Sequence, residues 1–206
     1  DIQAGAESVE FKLIMASGNY RVKLKIPGQH NVLNALAAAA TAEALEVPAE
    51  KIVSGLEVFQ SIPGRMNLSP MPGGGILLDD SYNANPMSTA AAIRILRLQD
   101  GEGRKIAVLG DMLELGEDAP GMHRDIGAIA AENIDLLLAV GSFASEICRG
   151  AEDAGMNRTQ LIETASCDEA VEQILKLQRS GDCILVKGSR GVKLDKLAAA
   201  LQSPEN

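Results

Sequence analysis

Four short stretches of this sequence combine residue types that suit ligand chemistry. They are Asp79-Asp80-Ser81-Tyr82-Asn83-Ala84-Asn85-Pro86, Gly110-Asp111-Met112-Leu113-Glu114-Leu115-Gly116-Glu117, Lys187-Gly188-Ser189-Arg190-Gly191 and His30-Asn31-Val32-Leu33-Asn34. Successive strand residues face opposite sides, so one of Asp79 and Asp80 points into a site, where a carboxylate suits ribose hydroxyls. Asn85 before Pro86 reads first as a helix cap. The lysine and arginine of the third stretch either bring charge to a helix amino end, which favours anions, or are solvated cations on a glycine-permitted turn. The acidic stretch from Asp111 to Asp118 suits an ammonium group or is a solvated loop. Asn31 and Asn34 share one face of a first helical turn, where they either close local helix-start hydrogen bonds or offer an amide to the N6/N7 edge of adenine. His30 stacks there or caps the helix.

These stretches need a frame. Residues 8–16 and 19–26 read as strands. In the second, Tyr20, Val22, Leu24 and Ile26 alternate with Arg21, Lys23 and Lys25, the period of a half-buried strand. Ser17-Gly18-Asn19 supplies a hairpin turn. Helices follow at about 31–45 and from Pro48 to Phe59. Ser61-Ile62-Pro63-Gly64 marks a boundary. Beyond it, strand-like runs at 76–80, 105–109, 135–140, 159–162 and 182–187 alternate with helical segments at about 86–99, 120–132, 142–154, 167–179 and 191–202. Near-continuous apolar strands between helices predict a doubly wound α/β domain over 62–206 with a mostly parallel sheet. Residues 1–61 make a thin core by themselves and read as part of another domain. The polar turns then gather at the carboxyl rim of the sheet, while the amino ends show less distinctive chemistry.

The 206 residues carry 19 Lys+Arg and 28 Asp+Glu, a net charge of -9, with 2% aromatics and no Trp. This argues against nucleic acid, against a base-stacking platform and against an anionic membrane surface as partners. Cys148, Cys167 and Cys183 form no CxxC pair, and His30 and His123 are the two histidines. A zinc site is not expected, and the cysteines read as buried thiols of a reducing compartment. His123 reads as structural. No phosphate loop of the G-x-x-x-x-G-K-[ST] type and no G-x-G-x-x-G opening a helix occurs in the chain. The chain begins at Asp1, which reads as a fragment, and shows no signal peptide.

Together with Pro63-Gly64-Arg65-Met66, these strings resemble the Mur ligases, in order and over nearly the whole chain. Asp-Asp-Ser-Tyr-Asn-Ala-Asn-Pro, Leu-Gly-Asp-Met-Leu-Glu-Leu-Gly and Lys-Gly-Ser-Arg-Gly are most similar to the branch that joins D-Ala-D-Ala to a UDP-MurNAc-tripeptide. The resemblance implies that 1–61 is the C-terminal part of a central ATPase domain. It implies that 62–206 is the Rossmann-like C-terminal domain. It further implies ATP as co-substrate and Mg2+ held outside this stretch. The implied reaction is amide ligation through an acyl phosphate in the bacterial cytoplasm, by a monomer. The fragment alone is expected to be inactive. Another Mur-type or folylpolyglutamate-type ligase, or a non-catalytic nucleotide-binding module, remains the alternative. By the same resemblance His30, Asn31, Asn34, Arg65 and Asp80 hold the nucleotide, and Arg65 and Lys187 are the catalytic candidates. Asn83, Asn85, Asp111, Ser189 and Arg190 face the acceptor.

Overall fold

Alternating burial builds the start of the chain. The computed structural model describes residues 1–203. In it β1 (Ile2–Ala4), β2 (Val9–Met15) and β3 (Gly18–Leu24) form an antiparallel sheet. Val9, Phe11, Leu13 and Met15 of β2 are buried with Val22 and Leu24 of β3, while Lys12 and Ile14 face out. Ala16 and Ser17 make the hairpin turn and Gly18 already belongs to β3, a step earlier than the Ser-Gly-Asn string suggests. β1 carried no signal, being three residues long and exposed at each position. Helices α1 (His30–Ala44) and α2 (Ala49–Glu57) close the unit, with Val32, Ala35, Ala39, Ala49 and Ile52 in its core. The contacts of the chain divide it into two units, Asp1–Ser61 and a second that begins at Ile62.

The second unit is a six-stranded sheet. Its elements are β4 (Asn67–Pro70), β5 (Ile76–Asp80), α3 (Pro86–Arg97), β6 (Lys105–Gly110), α4 (Ala119–Ala131), β7 (Leu136–Val140), α5 (Ala144–Asp153), β8 (Leu161–Thr164), α6 (Cys167–Leu177), β9 (Cys183–Lys187) and α7 (Asp195–Gln202). The strand order is β4-β5-β9-β6-β7-β8, with β4 antiparallel and the others parallel. This is the expected doubly wound α/β architecture. Alternate strand residues feed two cores. Leu78, Ala107, Leu109, Leu137 and Leu185 pack under α3, α4 and α5. Leu77, Ile106, Val108, Leu138, Ile184 and Val186 pack under α6 and α7. Burial on both faces is why these strands read as continuous apolar runs.

Several boundaries differ from the sequence expectation. β4 was not expected, because a short edge strand ending in proline has no internal period. β8 begins two residues later than 159, since Asn157 caps a 3-10 turn at Arg158–Gln160. The helix expected from 191 begins at Asp195, after a 3-10 turn at Arg190–Val192 and a left-handed Lys193 at φ 61°. α4 and α5 approach backbone to backbone at Gly127 and Gly150, where an added Cβ would run into the carbonyls of Ile147 and Arg124.

The order places a crevice. β6 leads into α4 on one face, and its neighbour β9 leads toward α7 on the other. Adjacent strands whose connections diverge leave an opening at their carboxyl ends.

Candidate functional site

The rim is organised by strand register. Asp80 and Lys187 are partners across the parallel pair β5–β9, so their side chains leave the sheet together. Lys187 Nζ donates to Asp80 Oδ2 at 2.5 Å and to the Asn83 carbonyl at 3.0 Å. The lysine is 2% exposed. A buried ammonium is tolerable only when its donors are met, and here a carboxylate and a carbonyl meet it. The other oxygen of Asp80 accepts the Met66 N–H at 3.0 Å. Met66 holds a left-handed φ of 53° there, a strained state for a side chain of that size. Asp79 turns away into a local contact, accepting the Ser81 N–H and hydroxyl. Lys187 was expected as an anion-facing charge; its ammonium is committed to Asp80 and to the turn that follows β5.

Exposed positive charge on the rim comes from two arginines. The Arg65 guanidinium lies 4.4 Å from the centre of the Tyr82 ring, and that of Arg190 lies 5.2 Å from it. Tyr82 is set by its backbone, whose N–H donates to the Gly64 carbonyl at 2.9 Å. Gly64 sits at φ +73°, where a Cβ would press on the Tyr82 backbone and Cβ. Tyr82 had no role in the sequence reading. The available signal was its place inside the Asp-Asp-Ser-Tyr string of a chain with 2 tyrosines.

The other expected rim residues act on one another. The Ser189 hydroxyl accepts the Leu113 N–H at 2.9 Å and faces the Ala84 carbonyl at 3.5 Å. Asp111 is buried, and its two carboxylate oxygens accept the N–H groups of Ser142 and Phe143, both at 2.9 Å. Its own carbonyl accepts the Ser189 N–H. Asp111 thus ties together the turns after β6, β7 and β9. Asn85 forms a capping box with Ser88 at the start of α3, as its local reading predicts. His123 is fully buried, stacks on Phe143 and accepts the Met112 N–H at Nε2, while its Nδ1 faces the Ala119 carbonyl. With both nitrogens engaged it is a structural group.

In the first unit, Asn31 Nδ2 donates to the Pro27 carbonyl at 2.7 Å, and its oxygen accepts from Asn34 Nδ2 at 3.2 Å. Asn31 therefore orients Asn34. His30 opens α1 and is exposed. Beside the two amides lies a pocket of about 430 Å³ lined by Leu24, Ile26, Ala35, Ala38, Leu56 and Phe59 among others.

The amino ends of the strands are richer than expected. Arg104 grips Asp182 through Nε and Nη2 at 3.1 and 2.6 Å, and Nη2 also donates to the Leu177 carbonyl. The N–H groups of Arg104 and Arg179 complete the shell of Asp182. Among the described residues, no three His, Cys, Asp or Glu side chains gather as a metal site. Cys148, Cys167 and Cys183 are buried free thiols. Burial pushes Cys148 up to about 12.

The model of the domain described as "Mur ligase, glutamate ligase domain" matches residues 64–190. The chain belongs to the Mur ligase family. A Mur ligase relative from Escherichia coli strain K12, UDP-N-acetylmuramoyl-tripeptide–D-alanyl-D-alanine ligase, is 35% identical over 98% of this chain and 43% of its own length. A crystal structure of MurF from Acinetobacter baumannii superposes with a TM-score of 0.87 at 37% identity, covering 98% of this chain and 44% of the other. MurF from Thermotoga maritima in complex with ADP shares the fold, with a TM-score of 0.78 at 22% identity over 99% of this chain and 45% of its own. The chain thus spans under half the length of these Mur ligases. No helix among the described residues is long and apolar enough to cross a membrane.

Proposed function

We propose that this chain is the C-terminal part of an ATP-dependent ligase that joins D-Ala-D-Ala to a UDP-MurNAc-tripeptide. The observation that carries the reading is the rim: an ordered Asp80 held by Lys187, beside two guanidiniums, in a Mur ligase. The tripeptide carboxylate becomes an acyl phosphate at the expense of ATP. The D-Ala-D-Ala amine then attacks its carbonyl carbon, and phosphate leaves. Such chemistry needs positioning and neutralisation of negative charge more than a covalent partner from the protein.

Each residue has a matching task. Asp80 accepts the ribose hydroxyls, and Lys187 holds that carboxylate aimed. Arg65 answers the phosphates. Arg190, with Asn83, Asn85 and Ser189, takes the acceptor, and Asp111 holds the wall they stand on. In 1–61, the part assigned to the central ATPase domain, the oriented Asn34 amide beside an apolar pocket suits adenine, with Asn31 and His30 supporting it. The outer side of α1 supports that assignment. Leu33 and Leu36 are exposed while Val32, Ala35 and Ala39 are buried, and a helix apolar on both sides belongs inside a larger domain. Magnesium is assigned to residues outside this chain. ATP, a UDP-linked substrate and three buried thiols suit a bacterial cytoplasm.

The test is to express the full reading frame and measure ADP formation with UDP-MurNAc-tripeptide and D-Ala-D-Ala. We expect ADP release that depends on both, and none from the 206-residue chain alone. Turnover driven by glutamate or a diamino acid in place of D-Ala-D-Ala would move the protein to another branch of the family. Turnover by the isolated chain would sink the two-part reading.

A further inference from the structure

Tyr82 stands apart from the other polar residues of the rim. The residue is 40% exposed and belongs to none of the hydrophobic cores. Its backbone is nevertheless held, through its own N–H to the Gly64 carbonyl and by the Asp79–Ser81 contact one residue earlier. An exposed aromatic ring on a fixed backbone is a platform rather than a packing element. What lies over that platform is Arg65, from the loop before β4, and Arg190, from the turn after β9. The two are far apart in sequence and of like charge. A ring face carries negative quadrupole density and attracts a guanidinium, and arginine stacks on it in a defined plane. One ring therefore offsets part of the repulsion between two cations. It also orders two long side chains before any ligand arrives, which lowers the ordering cost of binding.

We propose that Tyr82 is a positioning residue: its ring gathers Arg65 and Arg190 into one rigid cationic pair that serves both the nucleotide phosphates and the acceptor carboxylate. The proposal rests on the ligase reading above. It predicts a coupled defect. Loss of Arg65 alone raises chiefly the ATP KM, and loss of Arg190 alone chiefly the acceptor KM. Loss of the ring raises both.

The experiment uses the full-length ligase with Tyr82→Leu, Tyr82→Phe and pentafluorophenylalanine at position 82. The last keeps the ring shape and reverses its quadrupole. We expect Tyr82→Leu and the fluorinated ring to raise both KM values about fivefold, with kcat changed less. Tyr82→Phe should return both to within about twofold of wild type. KM values unmoved by Tyr82→Leu, or a Tyr82→Phe enzyme as impaired as Tyr82→Leu, would overturn the proposal. If Tyr82→Leu lowers the melting temperature, the fluorinated ring decides, and KM values equal to those of Tyr82→Phe would overturn it. A wild-type enzyme that forms no ADP with D-Ala-D-Ala instead fails the ligase reading. Inorganic pyrophosphate binding to the 206-residue chain then reads the ring alone: binding weakened by Tyr82→Leu and kept by Tyr82→Phe supports the proposal, and equal binding overturns it.

Discussion

The two ends of the six-stranded sheet each hold a basic side chain against a buried or half-buried aspartate, yet they are built differently. At the amino end Arg104 and Asp182 form a two-pronged contact, and every neighbour that completes it is main chain: the Leu177 carbonyl and the N–H groups of Arg104 and Arg179. At the carboxyl end the Lys187–Asp80 pair is equally tight, but it stands beside two guanidiniums over a partly exposed ring. The first arrangement spends its polar capacity on the protein. The second stands among charged side chains that reach the surface. A buried ion pair by itself therefore does not mark a site; what surrounds it does.

Mutation separates the two ends. The largest effect is expected from Asp182→Ala, which leaves a guanidinium and two N–H groups without their acceptor. We expect about 3–5 kcal/mol lost in urea denaturation of this chain. A loss under about 1 kcal/mol would erase the distinction between the rims. Asp80→Asn is next. It weakens the hold on Lys187 and should lower stability by about 1–3 kcal/mol. In the full ligase it should also raise the ATP KM roughly tenfold, and an unchanged ATP KM would remove the ribose assignment. The smallest effect is expected from Arg190→Ala, under about 1 kcal/mol by the same denaturation, because that side chain rests on an exposed ring. A larger loss would make the carboxyl rim as structural as the amino rim.

Much of this was legible in the residues. Alternation in 20–26 and apolar runs such as 105–109 report local burial, which follows from side-chain period. The carboxyl-end turns were legible because strand–helix alternation dictates where turns lie. The Lys187–Asp80 pair was not, because it depends on β9 lying beside β5, and no local spacing encodes that register. The same holds for Arg65, Tyr82 and Arg190, which meet only through the sheet order. Asp111 suggested an acidic loop open to an amine, yet its carboxylate is spent on Ser142 and Phe143. At the amino end Arg104 and Asp182 looked like ordinary boundary charges, because neither sits in a motif.

The position of β9 has a consequence for synthesis on the ribosome. Among the described strands of this sheet it comes last in chain order, yet it lies between β5 and β6 and hydrogen-bonds to both. Until residues 183–187 emerge, the β4–β5 hairpin and the β6–β7–β8 half each present an unpaired apolar edge, and neither can close on the other. Edges of this kind invite pairing with the wrong chain. The sheet therefore stays in two pieces until residues 183–187 are available, and any stall or truncation upstream of Cys183 would release two sticky half-sheets in place of one finished sheet.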